Sequence, residues 1–71
     1  MPEFHSSKYI QKVLEDKGFV VVSQKGSHLK LRKDGHPTLT VILPANRKEI
    51  PRGTFRSILR QSQLSAEDFQ E

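Results

Sequence analysis

The sequence contains no cysteine, which excludes a disulfide framework or a thiolate zinc site as a source of stability. It has no apolar run near the roughly 18 to 20 residues that span a bilayer. Met1-Pro2-Glu3-Phe4-His5 lacks the basic-then-apolar pattern of a secretory signal, so a soluble cytoplasmic protein is expected. Gly26 and Gly35 stand alone, without the strand-loop-helix glycine pattern that cradles nucleotide phosphates. Carboxylates and histidines do not gather as a hard cation requires, and no metal or other cofactor is expected. Asp34 and His36 flank Gly35, a spacing that turn chemistry accounts for. With 71 residues the chain makes one domain, and a domain of this size buries only about 60% of its unfolded surface. That leaves no room for a large enclosed active-site cavity, and ordinary helix-on-sheet packing must supply the stability.

What is present is positive charge, unevenly placed. Between Lys25 and Arg60 nine Lys or Arg residues face only Asp34 and Glu49, a surplus of seven, whereas residues 1–24 balance to zero and residues 61–71 carry three carboxylates. A concentrated positive field with an acidic tail suits a polyanion such as RNA. A solvated face that keeps the protein soluble is the plainer meaning of the same charge.

Hydrophobic periodicity predicts the elements. Ser6 or Ser7 caps a helix whose Ile10, Val13 and Leu14 follow the i, i+3, i+4 spacing of one buried face, and Gly18 ends it. Phe19–Gln24 is β-branched and aromatic and reads as a strand, followed by a tight turn at Lys25-Gly26. Ser27–Arg32 alternates with period two, so Leu29 and Leu31 point inward while His28, Lys30 and Arg32 project together from the opposite face. Asp34-Gly35 is a hairpin signal, and Thr38–Leu43 forms a third strand, with Leu39, Val41 and Leu43 facing the core and Pro44 closing it. Ala45–Ile50 reads as a linker. Pro51 then opens a second helix, with Phe55, Ile58 and Leu59 buried and Arg52, Arg56 and Arg60 forming a basic ridge that is ordinarily just solvated. Ser65 and Asp68 resemble a capping pair for a short terminal turn that lets Phe69 dock. The result is an α+β fold, helix, three strands, helix, in which two helices cover one face of an antiparallel sheet and leave the His28 face open. Double-stranded-RNA-binding domains share this element order, although fold alone does not decide function.

RNA carries its own nucleophile, the 2′-hydroxyl, so its cleavage needs only proton transfer, positioning and stabilisation of phosphate charge. Imidazole exchanges protons near neutral pH, which suits His28 as general base or acid. Lys30 and Arg32 share its strand face and are placed to hold phosphate, with Lys25 approaching from the turn. A single strand histidine is ordinarily no more than a half-exposed polar residue. His5 and His36 receive no role.

The segment Gly18-Phe19-Val20-Val21-Val22-Ser23-Gln24-Lys25-Gly26-Ser27-His28 resembles the signature of the HicA toxins. In that family a helix leads to a Gly-Phe or Gly-Trp strand start and then to Gln-Lys/Arg-Gly-Ser-His. The stretch from Glu49 to Gln61 is similar to the family's second pattern, Gly-Thr before an Ile-Leu-Arg/Lys-Gln helix, here Gly53-Thr54 and Ile58-Leu59-Arg60-Gln61. The resemblance implies a double-stranded-RNA-binding-like fold, endoribonuclease activity on messenger RNA and neutralisation by a HicB-type antitoxin protein. It also implies that His28 is catalytic; Lys25, Ser27, Lys30 and Arg32 around it are the residues expected to meet RNA. Two positions depart from the family pattern. Leu29 stands where many members have a second histidine, and Asn46 where many have another after the third strand. The second proton-transfer partner is therefore unassigned. A non-catalytic double-stranded-RNA-binding module, or an interaction protein with an acidic partner, is the competing expectation.

Overall fold

The computed structural model describes residues 4–70; the Met1–Glu3 part of the N-terminal segment and Glu71 of the acidic tail lie outside them. Helix α1 runs Ser7–Asp16, and Ser6 is its N-cap, its hydroxyl accepting the Tyr9 N–H at 3.1 Å. Gly18 follows the C-cap Lys17 at φ +102°, a conformation that a side chain strongly disfavours, and the chain turns there into the sheet. Ile10 and Leu14 are fully buried, so the helical spacing does set the inward face.

Three antiparallel strands follow in the order β1-β2-β3: β1 Val20–Lys25, β2 His28–Lys33 and β3 Leu39–Pro44. Each begins and ends one residue later than the periodicity predicts. Phe19 is buried at the bend before β1 instead of pairing within it. Lys25 pairs with His28, so Gly26 (φ +59°) and Ser27, not Lys25 and Gly26, form the two-residue connection. The second connection is five residues long, 34–38, because Lys33 pairs with Leu39. Pro44 does not stop short of β3 but ends it, opposite His28.

Helix α2, Arg52–Ser62, starts after Pro51. A short 3-10 turn at Ala66–Phe69 closes the chain, with a reciprocal capping box between Ser65 and Asp68. Both helices pack on the same side of the sheet. Ile10, Leu14, Leu31, Val41, Leu43, Ile58 and Phe69 form one core with no accessible side-chain surface, as the sequence pattern requires of a helix-on-sheet domain. Burying each such side chain is worth roughly 1.5–3 kcal/mol. Ala45 and Ile50 belong to the same core, so the segment expected to be a linker is partly buried. His5, for which no role was expected, lies in an aromatic cluster at 5.0 Å from Tyr9 and 5.3 Å from Phe55.

Ser7 ties the β3–α2 connection to α1. Its hydroxyl donates to the Pro44 carbonyl at 2.6 Å and accepts the Arg47 N–H at 2.9 Å, while its own N–H donates to the Arg47 carbonyl at 2.9 Å. The Ile50 N–H donates to the His5 carbonyl at 2.8 Å, completing the tie. The outer edge of β3 is capped at one point, where the Ile42 N–H donates to the Gln61 Oε1 of α2 at 2.9 Å.

Candidate nucleic-acid interface

The inward pairs of the sheet are hydrophobic, Leu31 with Val21 and Val41, and Leu29 with Leu43. Residues between them must face the other way. His28, Lys30 and Arg32 are all exposed there, as the alternation predicts. No helix covers this face among the described residues. Its neighbours follow from the register: His28 stands between Lys25 and Pro44, Lys30 between Ser23 and Ile42, and Arg32 between Val20 and Thr40.

Lys25 reaches this face through an irregularity. The pairing of β1 with β2 shifts between Val21 and Ser23, leaving Val22 as an extra residue. Val21 points inward against Leu31, and simple alternation would send Ser23 and Lys25 inward too. The bulge absorbs one residue and turns both outward, so Lys25 lies directly across from His28, where side chains of paired residues are about 4.5–5.5 Å apart at Cβ. Lys25 is thus a strand residue fixed by pairing, not a group approaching from the turn.

The cations differ in their surroundings. Arg32 Nε lies 3.5 Å from Asp34 Oδ1, an exposed ion pair that partly offsets its charge. The side chains of His28, Lys25 and Lys30 have no hydrogen-bond or ion-pair partner among the described residues. Ser27 is exposed in the turn, and its carbonyl accepts the Ala45 N–H at 2.7 Å, which holds the hairpin tip against the end of β3. Three aliphatic side chains also lie open to solvent: Val20 at 61%, Val22 at 42% and Ile42 at 41% exposure. Val20 and Ile42 share the outward register with the cations. Sequence reasoning singled out none of the three, although the unbroken Val20-Val21-Val22 run is itself a departure from alternation.

The arginine ridge stands elsewhere. Ile58 directs one side of α2 into the core, so Arg56 and Arg60 lie exposed on the helix's far side, across the molecule from His28. His36 is exposed in the 34–38 connection, and Asn46 adopts a left-handed φ of +59° after β3. Among the described residues no three His, Asp or Glu side chains gather in a way that would hold a metal ion. The clearest perturbed titration is remote from this face. The Ser65 backbone N–H holds the Asp68 carboxyl below its ordinary value, with Lys17 Nζ at 3.3 Å acting in the same direction.

The described residues include no helix long and apolar enough to cross a membrane. No curated protein matches this chain. A family model described as the HicA toxin of bacterial toxin-antitoxin systems matches residues 7–64, from the first residue of α1 to just past the end of α2. The match takes in the strand alternation, the hairpin with its histidine and the second helix, so the chain belongs to the HicA toxin family, toxins that are made with a cognate antitoxin.

Proposed function

We propose that this toxin is an endoribonuclease that cleaves messenger RNA without a metal ion, using His28 on the open face of the sheet. The observation that carries this reading is the placement of an exposed imidazole between two cations without ion-pair partners, Lys25 across the hairpin and Lys30 two residues along β2. His28 removes the proton from a ribose 2′-hydroxyl as general base. The 2′-oxygen bonds to the adjacent phosphorus, the bond from phosphorus to the 5′-oxygen breaks, and that oxygen takes up a proton from solvent water. The products are a 2′,3′-cyclic phosphate and a 5′-hydroxyl. Lys25, Lys30 and Arg32 hold the phosphate and offset charge building on its oxygens, with Ser27 adding a hydroxyl at the hairpin tip.

The cytoplasm is the compartment where such a substrate is met. The partner is a HicB-type antitoxin whose acidic segment covers the same face, neutralising Lys25 and Lys30 and burying Val20, Val22 and Ile42.

The test is incubation of the purified protein with an unstructured transcript, with and without excess EDTA. Cleavage to cyclic-phosphate ends is expected in both. Activity lost to EDTA and restored by magnesium would overturn the metal-independent route. In the same assay the double variant Lys30→Ala/Arg32→Ala weakens binding across sequences and lowers its salt dependence by about 0.7 per lost contact, because phosphates rather than bases are met. RNA bound equally by wild type and by a His28→Ala variant, with no cleavage by either, would instead favour a non-catalytic double-stranded-RNA-binding module.

A further inference from the structure

The sheet's covered side is not covered along its whole length. Beneath the hairpin end, where α1 and α2 leave β1 uncapped, lies a groove of about 720 Å³. The inward side chain of Gln24, which pairs with Leu29, forms its roof. Lys8 and Gln11 of α1 form one wall, and Arg47 and Lys48 of the β3–α2 connection form the other. Lys8, Arg47 and Lys48 are exposed and have no ion-pair partner among the described residues. Glu15, the carboxylate lining this groove, lies 3.5 Å from the Gln11 amide.

The backbone ties this groove to the His28 face. Pro44 pairs with His28, and the next residue, Ala45, donates to the Ser27 carbonyl at the hairpin tip. Asn46 then turns the chain in its left-handed conformation, so Ala45 stays buried while Arg47 and Lys48 emerge on the groove side. Ser7, buried and bonded to both Pro44 and Arg47, fixes the position of that turn. A chain leaving the His28 face over the Gly26-Ser27 tip therefore descends between cations.

We propose that this groove is a second RNA subsite, which takes the sugar-phosphate backbone of the strand flanking the cleaved bond. The inference rests on the ribonuclease reading of the His28 face. Three cations against one carboxylate suit a polyanion, and the shared hairpin end suits one continuous strand that engages face and groove together.

The test compares wild type with the triple variant Lys8→Ala/Arg47→Ala/Lys48→Ala, its folding checked by thermal melting. The probes are 2′-O-methyl RNAs, which lack the nucleophile, of about four and about sixteen nucleotides, the range over which single-strand sites extend. The variant is expected to bind the short probe as wild type does. For the long probe, affinity should fall about tenfold or more and the salt slope by about 2, since each lost single-strand phosphate contact removes about 0.7. Cleavage of a long ordinary RNA should show a raised KM with kcat retained. Unchanged binding of the long probe would overturn the subsite while leaving the ribonuclease reading in place. Wild type that binds and cleaves no RNA of either length would overturn both. If polyglutamate binding, but not RNA binding, depends on the three cations, the groove belongs to an acidic protein segment and the RNA subsite is overturned.

Discussion

Strand β2 carries two molecules' worth of purpose in six residues. Its inward side, Leu29 and Leu31, is buried against both neighbouring strands and the helices, whereas its outward side, His28, Lys30 and Arg32, touches little but solvent. The inner face holds the fold together and the outer face is open to solvent. Because alternate residues of a strand point oppositely, the two tasks are separated by a single step along the chain. Changes on one face should therefore leave the other nearly untouched.

The largest expected effect tests the outer face. His28→Ala should lower RNA cleavage by about 10² to 10⁴, the range for losing a general acid or base, and should abolish toxicity. Its melting temperature and its antitoxin binding should stay close to wild type, since His28 is exposed and fills no core space. A variant that cleaves at near wild-type rate would remove His28 from the chemistry. One that unfolds would show that the two faces are not separable.

Leu31→Ala makes the opposite cut. Leu31 is fully buried at the centre of the sheet, and its truncation should cost roughly 2–5 kcal/mol. For a domain this small that corresponds to a fall of about 10 °C or more in melting temperature. Below that melting point, activity per folded molecule should persist. A smaller change is expected of Ser7→Ala, which leaves the Arg47 N–H and the Pro44 carbonyl without their shared partner. Denaturant titration should show a loss of roughly 1 kcal/mol, the net worth of a hydrogen bond whose Pro44 and Arg47 partners are half-buried and exposed and can turn to water.

The smallest effect lies at the C-terminal turn. Asp68 has its carboxyl held below the ordinary value by the Ser65 N–H and by Lys17. A lowered folded-state value means that the contribution is present above the ordinary carboxylate range and disappears as the pH falls through the lowered value. Asp68→Asn should thus slightly lower the melting temperature near neutral pH and flatten its decline in acid, without altering cleavage. A variant whose acid limb matches that of wild type would show that Asp68 contributes nothing to it.

How much of this was legible in advance differs from element to element. The i, i+3, i+4 spacing of Ile10, Val13 and Leu14 and the alternation of β2 gave the helix-on-sheet architecture and the exposure of His28, because both are local periodicities tied to burial. Strand ends were displaced by one residue, since the hairpin turn is decided by which residues pair and not by the glycine alone. Ala45 and Ile50 look like linker residues in the sequence, and their burial comes with contacts from distant parts of the chain: Ser7 bonds Pro44, 37 positions away, and the His5 carbonyl accepts the Ile50 N–H. The arginine spacing of α2 is visible in the sequence, but its distance from His28 is not, because that follows from which side of the helix meets the sheet.

The sequence alone determined that one strand would bear His28, Lys30 and Arg32 outward, since period-two geometry leaves no other arrangement once Leu29 and Leu31 are buried. Only the tertiary structure decided what stands beside them. The pairing of β1 with β2 expels Val22 as a bulge and so brings Lys25 opposite His28, a choice made by inter-strand register that no local pattern encodes. The groove behind the hairpin arises in the same way. Lys8 and Arg47 lie far apart in the chain and share a rim only because Ser7 binds the end of β3 and the start of the following connection at once.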